Sequence, residues 1–219
     1  MMIIKGIFQV GGEGFTSPED GAVYLINAKE QSALVDAGCG YSHKALMDNI
    51  HKHLDDISRL KLLMLTHCHF DHCGGVKELV EKLNCKTVAH EADAVYLENG
   101  DNEVTAASWY HSTLHPFHVN RKITLEEEII DLGGLSIKAI HIPGHSPGSL
   151  VYLTELDGQR VLFGQDVHGP LHPSLKSDRT QYMLSLKKML SLEADILCEG
   201  HFGVIRGKEN VADFITSYL

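Results

Sequence analysis

The stretch Thr66-His67-Cys68-His69-Phe70-Asp71-His72-Cys73-Gly74-Gly75 decides how this chain is read. It follows the apolar run Leu60–Leu65, which has strand length, and it leads into Gly74–Leu83, which has helical spacing. His67 and His69 are two residues apart, so on extended backbone both point to one side. Cys68 then points the opposite way, into the layer beneath, where a free cysteine acts as a small buried hydrophobe. Asp71 and His72 fall where the chain turns into the helix. Four nitrogen and oxygen donors within six residues, at the carboxyl end of a strand, make a metal-site arrangement. The plainer alternative is a chance histidine cluster on a solvated loop.

Three further stations argue against chance. Ile140-His141-Ile142-Pro143-Gly144-His145-Ser146-Pro147-Gly148 puts His145 in a Gly/Pro turn between two strands. Phe163-Gly164-Gln165-Asp166 puts Asp166 just past another strand, and Glu199-Gly200-His201-Phe202-Gly203 puts His201 past the short strand Ile196–Cys198. Each candidate ligand sits where an apolar strand ends, and ligands converging on one sheet edge are how such scaffolds build a site.

Around these stations, Ile3–Val10, Ala22–Ala28 and Ala33–Ala37 read as strands, with a turn-prone loop at Gly11–Gly21. Tyr41–Leu54 reads as a helix with Ser42 at its N-cap position. Thr87–His90 reads as a strand, and Glu91–Asn120 as part helix followed by a loop rich in His, Trp and Pro. Strands return at Ile123–Leu125, Glu128–Leu132, Leu135–Ile142, Ser149–Glu155 and Gln159–Phe163, with hairpin turns at Gly133-Gly134 and Asp157-Gly158. Thr180–Leu192 and Lys208–Leu219 read as helices. The pattern is mixed α/β, of class α+β, in one domain over residues 1–219.

Composition sets limits on function. The formal charge is −10, which opposes nucleic-acid binding by phosphate neutralisation. No apolar run has the roughly 18 residues of a membrane span, and no signal peptide is visible, so a cytoplasmic protein with a small-molecule substrate is expected. A homodimer is left open. Five cysteines are an odd count and give no disulfide framework, whereas 15 histidines are many.

The ordered set His-x-His-x-Asp-His, then His145, Asp166 and His201, resembles the metallo-β-lactamase superfamily, over about Val23 to Val204. The resemblance implies a four-layer αββα sandwich with a dinuclear metal site at one sheet edge. It implies that His67, His69 and His145 hold one ion, that Asp71, His72 and His201 hold a second, and that Asp166 bridges them. Asp36, in Leu34-Val35-Asp36-Ala37-Gly38, matches the family's supporting aspartate. Two divalent ions are implied, zinc first, with iron or manganese as alternatives for an imidazole–carboxylate set. A bridging hydroxide would attack an acyl or phosphoryl centre, because bound water acidifies to a pKa of about 7. Gly-x-Ser-x-Gly is absent, so no serine nucleophile is expected.

A filled Asp166 position argues against β-lactam hydrolysis and is similar to the glyoxalase II, lactonase and phosphodiesterase branches. Only 18 residues follow His201, so the glutathione-binding extension of glyoxalase II is not expected. The expectation is hydrolysis of a thioester, lactone or related acyl substrate. A mononuclear iron persulfide dioxygenase, a phosphodiesterase and a non-catalytic binding module are the alternatives. Asp71, also a ligand, and His168, a proton donor to the leaving group, are the catalytic candidates, with His172 and Tyr182 weaker ones. His111, His115 and His118 belong to an expected substrate-shaping lid, Gly11-Gly12-Glu13-Gly14 to a flexible hairpin loop or flap, and His141 to the framework.

Overall fold

Strict two-residue alternation in the strands separates the apolar side chains into three layers. The computed structural model describes all residues, 1–219. Its first sheet holds β1 (Met2–Ile4), β2 (Ile7–Gly11), β3 (Val23–Asn27), β4 (Ser32–Val35), β5 (Leu60–Met64), β6 (Lys86–His90) and β7 (Arg121–Ile123), side by side in chain order. The strands from β1 to β4 pair antiparallel, and those from β4 to β7 pair parallel. Parallel pairs need crossovers, and helices supply them: α1 (His43–His51), α2 (Phe70–Cys73) with α3 (Val76–Leu83), and α4 (Glu91–Asn99). The second sheet holds β8 (Glu127–Asp131), β9 (Ser136–His141), β10 (Leu150–Leu156), β11 (Gln159–Phe163), β12 (Ile196–Cys198) and β13 (Val204–Arg206), in the order β13-β12-β11-β10-β9-β8. Helices α5 (Arg179–Ser191) and α6 (Lys208–Thr216) complete the chain.

On β3, Val23 and Leu25 face α1, α3 and α4, while Tyr24 and Ile26 face the second sheet. On β10, Tyr152 faces the first sheet and Val151 faces α5 and α6. The apolar layers are therefore helix on sheet, sheet on sheet, and sheet on helix, which is the four-layer sandwich expected from the resemblance. No helix is long and apolar enough to cross a membrane.

Most differences from the sequence reading are local. Ile3–Val10 is broken by a turn at Lys5-Gly6 into two short strands. Phe70–Cys73 forms its own helical turn before α3. Ser42 occupies the N-cap position of α1 but its side chain makes no capping bond. The short strand β13 was not expected. The Asp157-Gly158 turn has φ of 50° and 72°, the two left-handed residues that a type I′ hairpin demands. The Gly11–Gly21 loop exposes Glu13 and Gly14 and is anchored at its far end, where Asp20 accepts from Cys39 N at 2.7 Å and Gly21 N donates to Asp71 O at 2.9 Å.

Candidate metal centre

Strand ends deliver the polar side chains to one edge of the sandwich. His67 and His69 follow β5, His145 lies in the β9–β10 turn, Asp166 follows β11, and His201 follows β12. All seven ligand candidates are brought together. One set is His67, His69, His145 and Asp166; the other is Asp71, His72, His201 and Asp166. Within each set the donor atoms lie within 4.8 Å of one another.

Asp166 faces both sets, one oxygen to each. Its Oδ2 lies 3.5 Å from His145 Nε2 and 3.9 Å from His67 Nε2. Its Oδ1 lies 3.1 Å from His72 Nε2 and 3.5 Å from His201 Nε2. Asp71 Oδ2 stands 3.0 Å from His201 Nε2 and 3.5 Å from His72 Nε2. Tetrahedral ligation at about 2.1 Å puts donor atoms roughly 3.4 Å apart, so both sets have the size of a metal cage. Nε2 of His67, His69 and His145 is buried without a hydrogen-bond partner. Orphaned nitrogens are costly in a folded interior, and they fit an ion.

Asp36 sits beneath both sets, 2% exposed and at a left-handed φ of 63°. Its Oδ2 accepts from His72 Nδ1 at 2.8 Å and from Thr66 Oγ1 at 2.7 Å, and its Oδ1 accepts from Thr66 N at 2.8 Å. Thr66 Oγ1, having spent its proton on Asp36, accepts in turn from His67 Nδ1 at 3.0 Å. One carboxylate thus fixes the tautomer of a histidine in each set and leaves each Nε2 lone pair toward the centre.

Electrostatics divides the sets. Burial, and then His145, holds His69 down at about 3. Burial with His72 keeps His67 well below the ordinary imidazole range, so both rings are neutral at pH 7. In the other set, burial would lower His201, but hydrogen bonds to Asp166 and Asp71 outweigh it and lift the ring to about 10. Burial would likewise raise Asp166, yet His72, and then the imidazoles of His145 and His201 3.5 Å away, hold it well below the carboxylate range. The buried carboxylates therefore demand positive charge, which is what divalent ions bring.

The mouth is a cavity of about 220 Å³ lined by Trp109, Tyr110, His168, Pro170 and Leu175 above His69, Asp71, Asp166 and His201. His168 Nδ1 donates to Glu199 Oε1 at 2.9 Å. Trp109 meets His172 edge-on, with ring centroids 5.4 Å apart, and His172 itself does not line the cavity. Of the expected lid, Trp109 and Tyr110 line this cavity, whereas His111, His115 and His118 do not. His118 pairs with Glu98 at 3.0 Å. Tyr182 is spent on Val167 O and lies away from the opening. His141 stacks on His90 with centroids 3.7 Å apart and donates to Pro147 O, a framework role. Cys68 and Cys73 are fully buried in the helix-side core.

Sequence reasoning missed Asp93 and Glu199. Asp93 lies in the first turn of α4, where an acid reads as an ordinary partner of the helix dipole. Glu199 follows β12 two residues before His201, and the available signal was an acid directly after an apolar strand; the structure buries it completely.

Comparisons with known proteins agree with this geometry. A probable metallo-hydrolase of Methanocaldococcus jannaschii is 32% identical over 149 residues, 68% of each chain. The acyl-coenzyme A thioesterase MBLAC2 of Homo sapiens is 28% identical over 98% of this chain and 84% of its own. A metallo-beta-lactamase of Cronobacter sakazakii superposes with a TM-score of 0.84 at 19% identity, covering 100% of this chain and 90% of its own, a likeness of fold alone. The metallo-beta-lactamase superfamily model matches residues 16–201, a span that holds every one of the converging side chains, and the chain belongs to that superfamily.

Proposed function

We propose that the chain is a dinuclear metallohydrolase of acyl thioesters, with His67, His69, His145 and Asp166 holding one divalent ion and Asp71, His72, His201 and Asp166 the other. Zinc suits the imidazole–carboxylate set, with iron or manganese as alternatives. The observation that carries the reading is Asp166, whose two oxygens face two separate donor sets. The two ions, when bound, supply an acidified water and polarise the acyl carbonyl.

The thioester class is supported by two relatives. MBLAC2 is named an acyl-coenzyme A thioesterase. A Passalora fulva protein, named an atrochrysone carboxyl ACP thioesterase, is 25% identical over 83% of this chain and 48% of its own. The site agrees with an apolar acyl group: Trp109, Pro170 and Leu175 line its mouth. Tyr110 closes one wall against Phe70, with ring centroids 5.6 Å apart.

His168 is the proton donor to the leaving group in this reading. Glu199 behind it holds the ring in one orientation and supports the charge of its protonated form. A thiolate leaves with little help, whereas an alkoxide needs a proton. His168→Phe is therefore expected to lower kcat by about 10²-fold on oxygen esters and by distinctly less on the matching thioesters. Equal loss on both would remove His168 from this role. Trp109→Ala is expected to raise KM about tenfold for long-chain acyl thioesters, the loss of roughly 1.4 kcal/mol of apolar contact, and to leave acetyl thioesters nearly unchanged. A chain-length series of KM values checks it.

The deciding experiment is a panel of acyl thioesters, oxygen esters and lactones, followed by free thiol or acid release, with and without prior chelation. Thioester turnover that chelation abolishes and zinc restores is expected. Oxygen uptake with a persulfide, and no acyl turnover, would replace this reading with the dioxygenase one.

A further inference from the structure

The geometry points to two positioning residues, Asp93 and Glu199, each of which sets the affinity of one of the two ions by tying together the loops that carry its ligands. The inference rests on the two-ion reading above and concerns residues that bind no ion themselves.

Asp93 is 1% exposed at the start of α4. Its Oδ2 accepts from Cys68 N at 2.9 Å, between His67 and His69, and from Ser146 Oγ at 2.6 Å, next to His145. Its Oδ1 accepts from Gly148 N at 2.7 Å, in the same turn as His145. A Cβ on Gly148 would fall 2.6 Å from Asp93 N and 2.7 Å from its Cγ, so the turn closes on the carboxylate only because it lacks one. The three histidines of the first set come from two strand ends about 80 residues apart in the chain, and Asp93 bonds to both.

Glu199 is completely buried. Its Oε1 accepts from Val167 N and His168 Nδ1, each at 2.9 Å, just after Asp166. Its Oε2 accepts from His201 N at 2.7 Å and Phe202 N at 2.8 Å. It joins the Asp166 and His201 loops as Asp93 joins the His67–His69 and His145 loops; Asp166 faces both sets, but only the second set draws two of its donors from the loops that Glu199 joins.

Both carboxylates only accept, and every partner but Ser146 and His168 is a backbone N–H that cannot turn round. Neither orientation of an amide satisfies that pattern. In Asp93→Asn the NH2 meets either Gly148 N–H or Cys68 N–H. In Glu199→Gln it meets either the Val167 and His168 pair or the His201 and Phe202 pair. The isosteric variants therefore keep the volume and lose the tie. Outer partners of metal ligands are worth about 10–100-fold in metal affinity when altered.

The test is zinc titration of metal-stripped protein against a chromophoric chelator, with circular dichroism to follow the fold. Two tight ions are expected for the parent chain. Asp93→Asn and Glu199→Gln are each expected to keep one tight ion and to bind the other about 10–100-fold more weakly. The remaining sites should differ. Adding His201→Ala to Asp93→Asn should leave no tight ion, whereas adding His145→Ala should leave one. For Glu199→Gln the two additions should act the other way round. A structural role alone would weaken both ions together, so equal weakening in either variant overturns the assignment, as does parental affinity for both ions. If Asp93→Asn fails to fold, Ser146→Ala decides for Asp93: it cuts the Asp93 bond next to His145, together with the Ser146–Ser149 hydroxyl contact inside the same turn, and must weaken one ion selectively, and unchanged affinity overturns the assignment of Asp93. A parent chain that binds no zinc overturns the two-ion reading itself, a result distinct from two ions bound equally well in every variant.

Discussion

Asp166→Ala is expected to lower thioester hydrolysis at least a thousandfold and to leave the fold intact. The side chain lies past the end of β11, and its oxygens stand 3.1–3.9 Å from four imidazoles of two sets. Removing it takes one donor from each set and a negative charge from between them. A thousandfold is about 4 kcal/mol of barrier, the scale on which loss of a preorganised charge is felt in such sites. Asp166→Asn sharpens the prediction, because its amide keeps the volume and offers an oxygen to one set but an NH2 to the other. It is expected to hold one ion firmly and to be almost as inactive as the alanine variant. Activity within tenfold of the parent in either variant would contradict the assignment. Parallel circular dichroism separates lost chemistry from lost structure.

Chelation is expected to lower the melting temperature by about 10 °C or more, and zinc to restore it. An ion present at about 1,000 times its Kd stabilises the folded chain by roughly 4 kcal/mol. In a chain of this size each kcal/mol shifts Tm by about 2–4 °C. The stripped protein also keeps Nε2 of His67, His69 and His145 buried without partners, a cost that binding removes. Protons on His72 and His201 partly compensate Asp71 and Asp166, which both rings approach within 3.5 Å, so the stripped chain should melt early but cooperatively. Differential scanning calorimetry with and without chelator measures the shift. An unchanged Tm would mean that no ion contributes to the folded state.

The candidate ligands are legible because five of the seven stand past the end of an apolar strand, with Asp71 and His72 following in the helical turn α2, and because the one-sided spacing of His67 and His69 survives in the fold. Parallel pairing of β4, β5 and β6 explains why those strand ends share an edge. Asp93 is not legible, because its bonds span 25 to 55 residues, and Glu199 is legible only in its local bonds to His201 N and Phe202 N, since its bonds to Val167 and His168 span 31 to 32 residues. The glycines of the Gly11–Gly21 loop suggest freedom throughout, but the anchor of its far end, Asp20 on Cys39 N 19 residues on, leaves no local trace in the sequence. Tyr182 was weighed as a proton donor from its place on the helix after the site, but its hydroxyl is turned to Val167 O. Short elements such as β13 escaped because three residues carry too little alternation to read.

The most direct test of the account is the metal content of the chain purified without added metal, measured by elemental analysis against protein concentration. Two ions of zinc, manganese or iron per chain, falling to about one in Asp166→Asn, is the result the account predicts. One iron per chain, with no second ion recovered on titration, would contradict it.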